Sequence, residues 1–211
     1  MTSSQVKICG ITTITDANLA IDFGADYLGF IFYPKSKRYI SYDNCKEILD
    51  VIKDKIKTVA VIVEPSDNDI LEINKLGFDY IQLHGSESVE RVIEIKANCS
   101  SQIIKAFGIN SIDDLNQTTN YVDLSEFFLF DYKPSLTEMP GGNAKKFDWS
   151  IINKSEVNKQ FFLSGGLTVD NIENAVNTGI TNLFDVSSGV ESNPGVKDTD
   201  KLKKFIDLVK Q

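Results

Sequence analysis

Two patterns of apolar residues alternate along this chain. In the first, five to eight consecutive positions are mostly apolar: 6–10, 25–32, 57–63, 78–83, 102–107, 126–131, 160–164 and 182–186. Runs this short and continuous mark strands buried on both faces, as in a parallel sheet. In the second, apolar side chains recur three and four residues apart among polar ones, the spacing of a helix with one buried face. Such stretches run from residue 15 or 16 to 23, over 43–52 and 67–76, and from a Ser86 cap through Val89, Val92, Ile93 and Ala97. They continue over 147–152, 170–177 and 197–209, the last with Leu202, Phe205, Ile206 and Val209 as its stripe. The stretch 111–121 is the weakest, with only Ile112, Leu115 and Tyr121 to bury.

Glycines punctuate this alternation. Gly24, Gly77 and Gly179 each close a helix three residues before the next strand, where a residue tolerating positive φ ends a helix well. Strand exits repeat as Cys9-Gly10, His84-Gly85, Phe107-Gly108, Ser164-Gly165 and Ser188-Gly189. Strict β/α alternation through eight units predicts an α/β protein of the (βα)8 TIM barrel type, one domain over residues 1–211. The first strand is not followed by G-x-G-x-x-G, which argues against an open dinucleotide-binding sheet. After Asp131 comes a long loop with Pro134, Pro140, Gly141 and Gly142, and loops of that length in compact domains are usually functional.

Composition narrows the classes of function. The chain has 211 residues, 42% hydrophobic and 25% charged, enough to bury one sizeable core. A net charge of −8 argues against nucleic acid as a partner and requires any anionic ligand to find a local positive site. The polar start and the lack of an apolar run near the ~20 residues of a membrane helix point to a cytoplasmic protein with no membrane partner. Cys9, Cys45 and Cys99 are odd in number and widely spaced, so they read as free thiols.

Chemistry in such barrels gathers at the C-terminal ends of the strands. Here those ends hold Cys9, Phe32 with the Arg38 loop, Gln82 and His84, Asp131, Ser164, and Asp185. Alternation puts Gln82 with His84, Leu129 with Asp131 and Leu183 with Asp185, so Gln82, His84 and Asp185 are candidate substrate contacts at the mouth. Cys9 can be a small buried hydrophobe, but Lys7 shares its face, and a nearby ammonium lowers a thiol's pKa and enriches thiolate. Lys7 itself should face the barrel interior beside a carboxylate. Asp131 could cap a helix or pair with Lys7; ending the run Phe127-Phe128-Leu129-Phe130, it should be partly desolvated, the condition that makes a carboxyl a usable general acid. A thiolate and a carboxylic acid facing one cavity could remove a proton from carbon while protonating oxygen. Arg38 could be a solvated charge or a bidentate carboxylate clamp. His84, the only histidine, could be structural or ligand-contacting, and alone it offers no metal site. Gly165, Gly166, Ser187, Ser188 and Gly189 follow the last two strands, where barrels frequently grip phosphate with backbone N–H groups.

Seven segments together closely resemble the phosphoribosylanthranilate isomerase family: Lys7-Ile8-Cys9-Gly10-Ile11-Thr12, Gly29-Phe30-Ile31-Phe32 with Ser36-Lys37-Arg38-Tyr39-Ile40, Gln82-Leu83-His84-Gly85, Phe130-Asp131, Phe147-Asp148-Trp149, Leu163-Ser164-Gly165-Gly166-Leu167 and Asp185-Val186-Ser187-Ser188-Gly189-Val190-Glu191. The resemblance implies an Amadori rearrangement in tryptophan biosynthesis without cofactor or metal. Asp131 would be the general acid and Cys9 the general base, with Arg38 on the anthranilate carboxylate and the two late loops on the phosphate. A phosphorylated small molecule is then the partner, and a monomer is expected, with a homodimer as the alternative. Ala144 stands where the family commonly has glycine, which would stiffen a lid over the site. The competing functions are a non-catalytic phosphate-ligand barrel and another sugar-phosphate isomerase or epimerase.

Overall fold

The computed structural model describes residues 3–52, 54–133, 148–153 and 157–211. Its strands are β1 (Gln5–Cys9), β2 (Tyr27–Ile31), β3 (Lys57–Ile62), β4 (Tyr80–Leu83), β5 (Gln102–Ile109), β6 (Phe127–Tyr132), β7 (Phe161–Leu163) and β8 (Leu183–Val186). They pair in parallel in that order and close through β1 and β8, with Lys7 in register with both Tyr27 and Asp185. The helices between them are α1 (Ile14–Asp22), α2 (Tyr42–Ile52), α3 (Asp67–Leu76), α4 (Val89–Asn98), α5 (Ile112–Asn116), α6 (Ser150–Asn153) and α7 (Ile172–Asn177). A two-stranded antiparallel ribbon, β9 (Glu191–Asn193) with β10 (Val196–Lys197), precedes the last helix, α8 (Thr199–Lys210).

Differences from the sequence expectations have local causes. Helix α4 is capped by Ser88, which accepts from the Arg91 N–H, and not by Ser86. The segment 111–121 gives one short α-helix and then a 3-10 turn over Gln117–Tyr121, where the Thr118 and Thr119 hydroxyls donate to carbonyls three residues back. Such side chains offer the backbone an alternative to the α ladder. The final helix begins at Thr199 under an Asp198 cap, leaving Lys197 on a strand. The long loop after β6, with Ala144, lies outside the described residues.

Alternation along the strands produces two separate apolar clusters. Val6, Ile8, Leu28, Phe30, Ile81, Phe128 and Phe130 face outward under the helices, where α8 adds Leu202, Phe205, Ile206 and Val209. Cys9, Tyr27, Val59, Tyr80, Ile104, Leu129, Phe162 and Leu183 face into the barrel. Tyr27, Tyr80, Phe127 and Phe162 form a closed cycle of ring contacts, with centroids 5.2–5.9 Å apart. These rings come from the early positions of their strands, so they plug the N-terminal end of the barrel. The interior is accessible for chemistry at the opposite end.

Candidate active site

Strand β1 delivers Lys7 and Cys9 to the interior. Lys7 is fully buried, and its Nζ donates to Asp185 Oδ1 at 2.7 Å, while Ser164 Oγ donates to the other oxygen, Oδ2, at 3.0 Å. Lys7 therefore pairs with Asp185 of β8, and the pairing with Asp131 that the sequence left open is not formed. Asp185 has its carboxylate engaged inside the chain.

The Cys9 thiol lies beside that ion pair. A Cβ at Gly29 would come within 2.9 Å of Cys9 Sγ and 3.2 Å of Lys7 Nζ, so the glycine leaves the space that both occupy. Burial pushes the Cys9 thiol above its ordinary range; Lys7 and Lys197 pull it down, and Asp185 adds to the rise. Lys7 thus acts on the thiol in the direction expected of a neighbouring ammonium, but burial outweighs it and the net shift is upward.

Across the barrel, β4 and β6 bring Gln82, His84 and Asp131 together. Gln82 Nε2 lies 2.7 Å from His84 Nδ1, and His84 Nε2 lies 3.5 Å from Asp131 Oδ2. The other oxygen, Asp131 Oδ1, accepts from the Tyr132 N–H at 2.7 Å. Asp131 is buried, and with His84 it lines a cavity of about 490 Å³ that extends past Gly108 and Lys133 to Lys105 and Glu87. Cys9, Lys7 and Asp185 are not on that cavity's lining and belong to the β1–β8 side of the barrel end.

Arg38 does make the forked contact its chemistry suggested, but to a carboxylate of this chain. Its Nε and Nη2 donate to Glu191 Oε1 and Oε2, each at 2.8 Å. Lys197, also buried, donates to Glu191 Oε1 at 3.0 Å. Burial works against the Glu191 carboxylate, yet Arg38 and Lys197 hold it below the usual range.

The candidate phosphate loops pack directly on one another. Gly165 and Gly166 have φ of +84° and +65°, and Ser188–Val190 forms a single 3-10 turn. A Cβ on Gly189 would sit 1.9 Å from the Leu167 carbonyl oxygen, and one on Gly165 would sit 2.9 Å from Asp131 Oδ1. Among the described residues, the buried Ser187 Oγ has no hydrogen-bond partner. Gly189→Ala should therefore force the two loops apart and lower stability by about 1–3 kcal/mol, read from the urea midpoint. An unchanged midpoint would mean that the loops separate without strain.

Glu191 and Lys197 were not singled out in the sequence, and nothing local marks them. Lys105 was also missed, although it had a usable signal. It interrupts the apolar run of β5 as Lys7 interrupts β1, and it is buried with Glu87 Oε2 at 3.0 Å and the Gly85 carbonyl at 2.9 Å. Its ammonium thus supports the loop that carries His84. Among the described residues no three His, Cys, Asp or Glu side chains are grouped to hold a metal ion.

Known proteins resemble this chain over nearly its whole length. Residues 6–208 match the family described as N-(5'phosphoribosyl)anthranilate (PRA) isomerase. A Rhizobium rhizogenes protein named N-(5'-phosphoribosyl)anthranilate isomerase is 42% identical over 207 residues, 97% of this chain and 93% of that protein. The crystal structure of phosphoribosyl anthranilate isomerase from Thermotoga maritima superposes with a TM-score of 0.88 at 37% identity, covering 98% of both chains. A structure of such an isomerase in complex with reduced 1-(o-carboxyphenylamino)-1-deoxyribulose 5-phosphate gives a TM-score of 0.85 at 35% identity, with 98% of both chains covered. This chain belongs to the N-(5'-phosphoribosyl)anthranilate isomerase family.

Proposed function

We propose that this protein converts N-(5-phosphoribosyl)anthranilate to 1-(o-carboxyphenylamino)-1-deoxyribulose 5-phosphate, with Asp131 as general acid and Cys9 as general base. The observation that supports the assignment is a buried thiol beside a lysine on β1 and a buried carboxyl beside His84 on β6, both at the C-terminal strand ends of one barrel. Asp131 gives its proton to the ribose ring oxygen as the C1–O bond breaks, and the nitrogen lone pair forms the C1=N iminium. The Cys9 thiolate removes the C2 proton, and its electron pair moves to C1–C2 while the iminium electrons return to nitrogen, leaving an enolamine. Tautomerisation moves the 2-hydroxyl proton to C1 and leaves the C2 ketone. Atoms are conserved, and neither oxidant nor second substrate is needed.

The remaining residues bind. The Gly165-Gly166 and Ser187-Ser188-Gly189 loops take the phosphate through backbone N–H groups, with the Ser187 hydroxyl as a further donor. Arg38 spends two of a guanidinium's five donors on Glu191, and its outer Nη edge meets the anthranilate carboxylate. Gln82 orients His84, which contacts the substrate beside the acid. Lys7 and Ser164 fix Asp185 at the floor between Cys9 and the phosphate loops.

The protein is taken as a single barrel domain over 1–211 that acts as a cytoplasmic monomer on a phosphorylated small molecule. No described helix is long and apolar enough to cross a membrane. The decisive experiment follows the loss of phosphoribosylanthranilate fluorescence with purified protein, with and without EDTA. Equal, rapid loss in both is the expected result. No loss would overturn the isomerase assignment, and loss abolished by EDTA would overturn acid/base chemistry by side chains alone.

A further inference from the structure

The Lys197 ammonium makes three hydrogen bonds to three different parts of the site. It donates to the Cys9 carbonyl at 2.6 Å, to the Ser187 carbonyl at 3.2 Å and to Glu191 Oε1 at 3.0 Å. The side chain is completely shielded from solvent. Three acceptors around one nitrogen match the three N–H donors of an ammonium; burial pulls the Lys197 pKa down and Glu191 works against that. The short ribbon of β9 and β10 exists at this point in the chain: it brings Lys197 opposite Glu191 and turns its side chain under the end of β1.

We propose that Lys197 is a positioning residue for the isomerisation, a buried cation that ties the strand end bearing the base, the first phosphate-loop serine and the Glu191–Arg38 clamp into one rigid unit. The proposal rests on the assignment of Cys9 as the base. The side chains of Arg38, Glu191 and Lys197 together carry one positive charge, and the Asp16 carboxylate on α1 accepts from the Lys197 backbone N–H at 3.4 Å. Two consequences follow. The base, the phosphate and the carboxylate are held in mutual register by a single side chain, and an anion at any of these places is favoured. The charged groups facing Cys9 are Lys7 from β1, Asp185 from β8, Lys197 from β10 and Arg38 from the loop after β2. Lys7 and Lys197 both favour the thiolate and Asp185 opposes it, so removing the Lys197 charge takes away part of the positive field on the thiol.

The test is Lys197→Met against Lys197→Arg, with Cys9 alkylation by iodoacetamide followed across pH by mass spectrometry of the Cys9 peptide, alongside kcat and KM. The Met variant is expected to alkylate about tenfold more slowly at pH 7.5, an upward move of about one pH unit in the thiol midpoint. Its kcat should fall about tenfold with KM changed less than about threefold, and Arg should recover part of both losses. A Met variant whose midpoint stays within about 0.3 unit and whose kcat stays within about twofold of the native protein would overturn the proposal. Should Lys197→Met fail to fold, Lys197→Gln, which keeps two donors without the charge, takes its place with the same expected shift. If neither folds, Lys197 is a structural residue only and the proposal fails. Alkylation reads the thiol without turnover, so an inactive native protein would overturn the proposed function while leaving the alkylation arm of this test intact.

Discussion

Replacing Cys9 with alanine is expected to lower kcat by about a thousandfold, within the range a positioned proton-transfer group contributes. In the proposed mechanism the thiol is the base in the slow removal of a carbon-bound proton, and among the described residues the carboxylate beside it on the β1–β8 side is not free to take its place. Asp185, the nearest carboxylate, already accepts from Lys7 and Ser164. The pH dependence carries the same information with a definite sign. Burial pushes the thiol above its ordinary pKa of about 8.5, so thiolate is scarce at neutral pH and kcat/KM of the native protein should climb as pH rises into the alkaline range. In Cys9→Ala that rise should disappear. Alanine keeps most of the local packing, so the melting temperature should shift by only about 2–4 °C. Full turnover in the folded variant, or an unchanged alkaline rise, would remove Cys9 from the mechanism.

What could be read in the sequence was whatever depends on neighbours along the chain. The two-residue period of a strand put Lys7 with Cys9 and Gln82 with His84, and the structure places both pairs on shared faces. Eight repeats of strand, helix and glycine gave the closed barrel, and with it the end of the barrel where polar strand termini converge. What could not be read depends on closure of that barrel. Arg38 and Glu191 are 153 positions apart, and Lys197 and Cys9 are 188 apart. No periodicity links them, and the ribbon that presents Lys197 has strands of only three and two residues, too short to leave a pattern. The depth of burial was not legible for a related reason. Lys7 is close to Cys9 and lowers its pKa, as its spacing required, but burial by the closed barrel outweighs it, with Asp185 from the opposite end of the chain adding to the rise. Parity alone shows which groups share a face; it does not show which charges are already neutralised.

Asp131→Asn is the other substitution expected to lower turnover severely, by about 10²- to 10⁴-fold in kcat. The two side chains have nearly the same shape, and the amide oxygen can still accept from the Tyr132 N–H as Oδ1 does at 2.7 Å. What is lost is the acidic proton. Opening the sugar ring expels an alkoxide, a poor leaving group in water, so the acid matters most where bond cleavage is well advanced. Binding should change little, because in the proposed arrangement the phosphate and carboxylate are held by other residues. A reduced product analogue should therefore bind with Kd within about threefold of the native value, the pattern of an interaction made only in the transition state. His84 supplies the internal control. Its Nε2 lies 3.5 Å from Asp131 Oδ2, close enough to deliver a proton after a small movement. If Asp131→Asn keeps more than about a tenth of native kcat while His84→Gln does not, the acid is His84, and Asp131 only orients the ring. If Asp131→Asn is slow while His84→Gln keeps most of the native kcat, the carboxyl is the proton donor and the histidine its support.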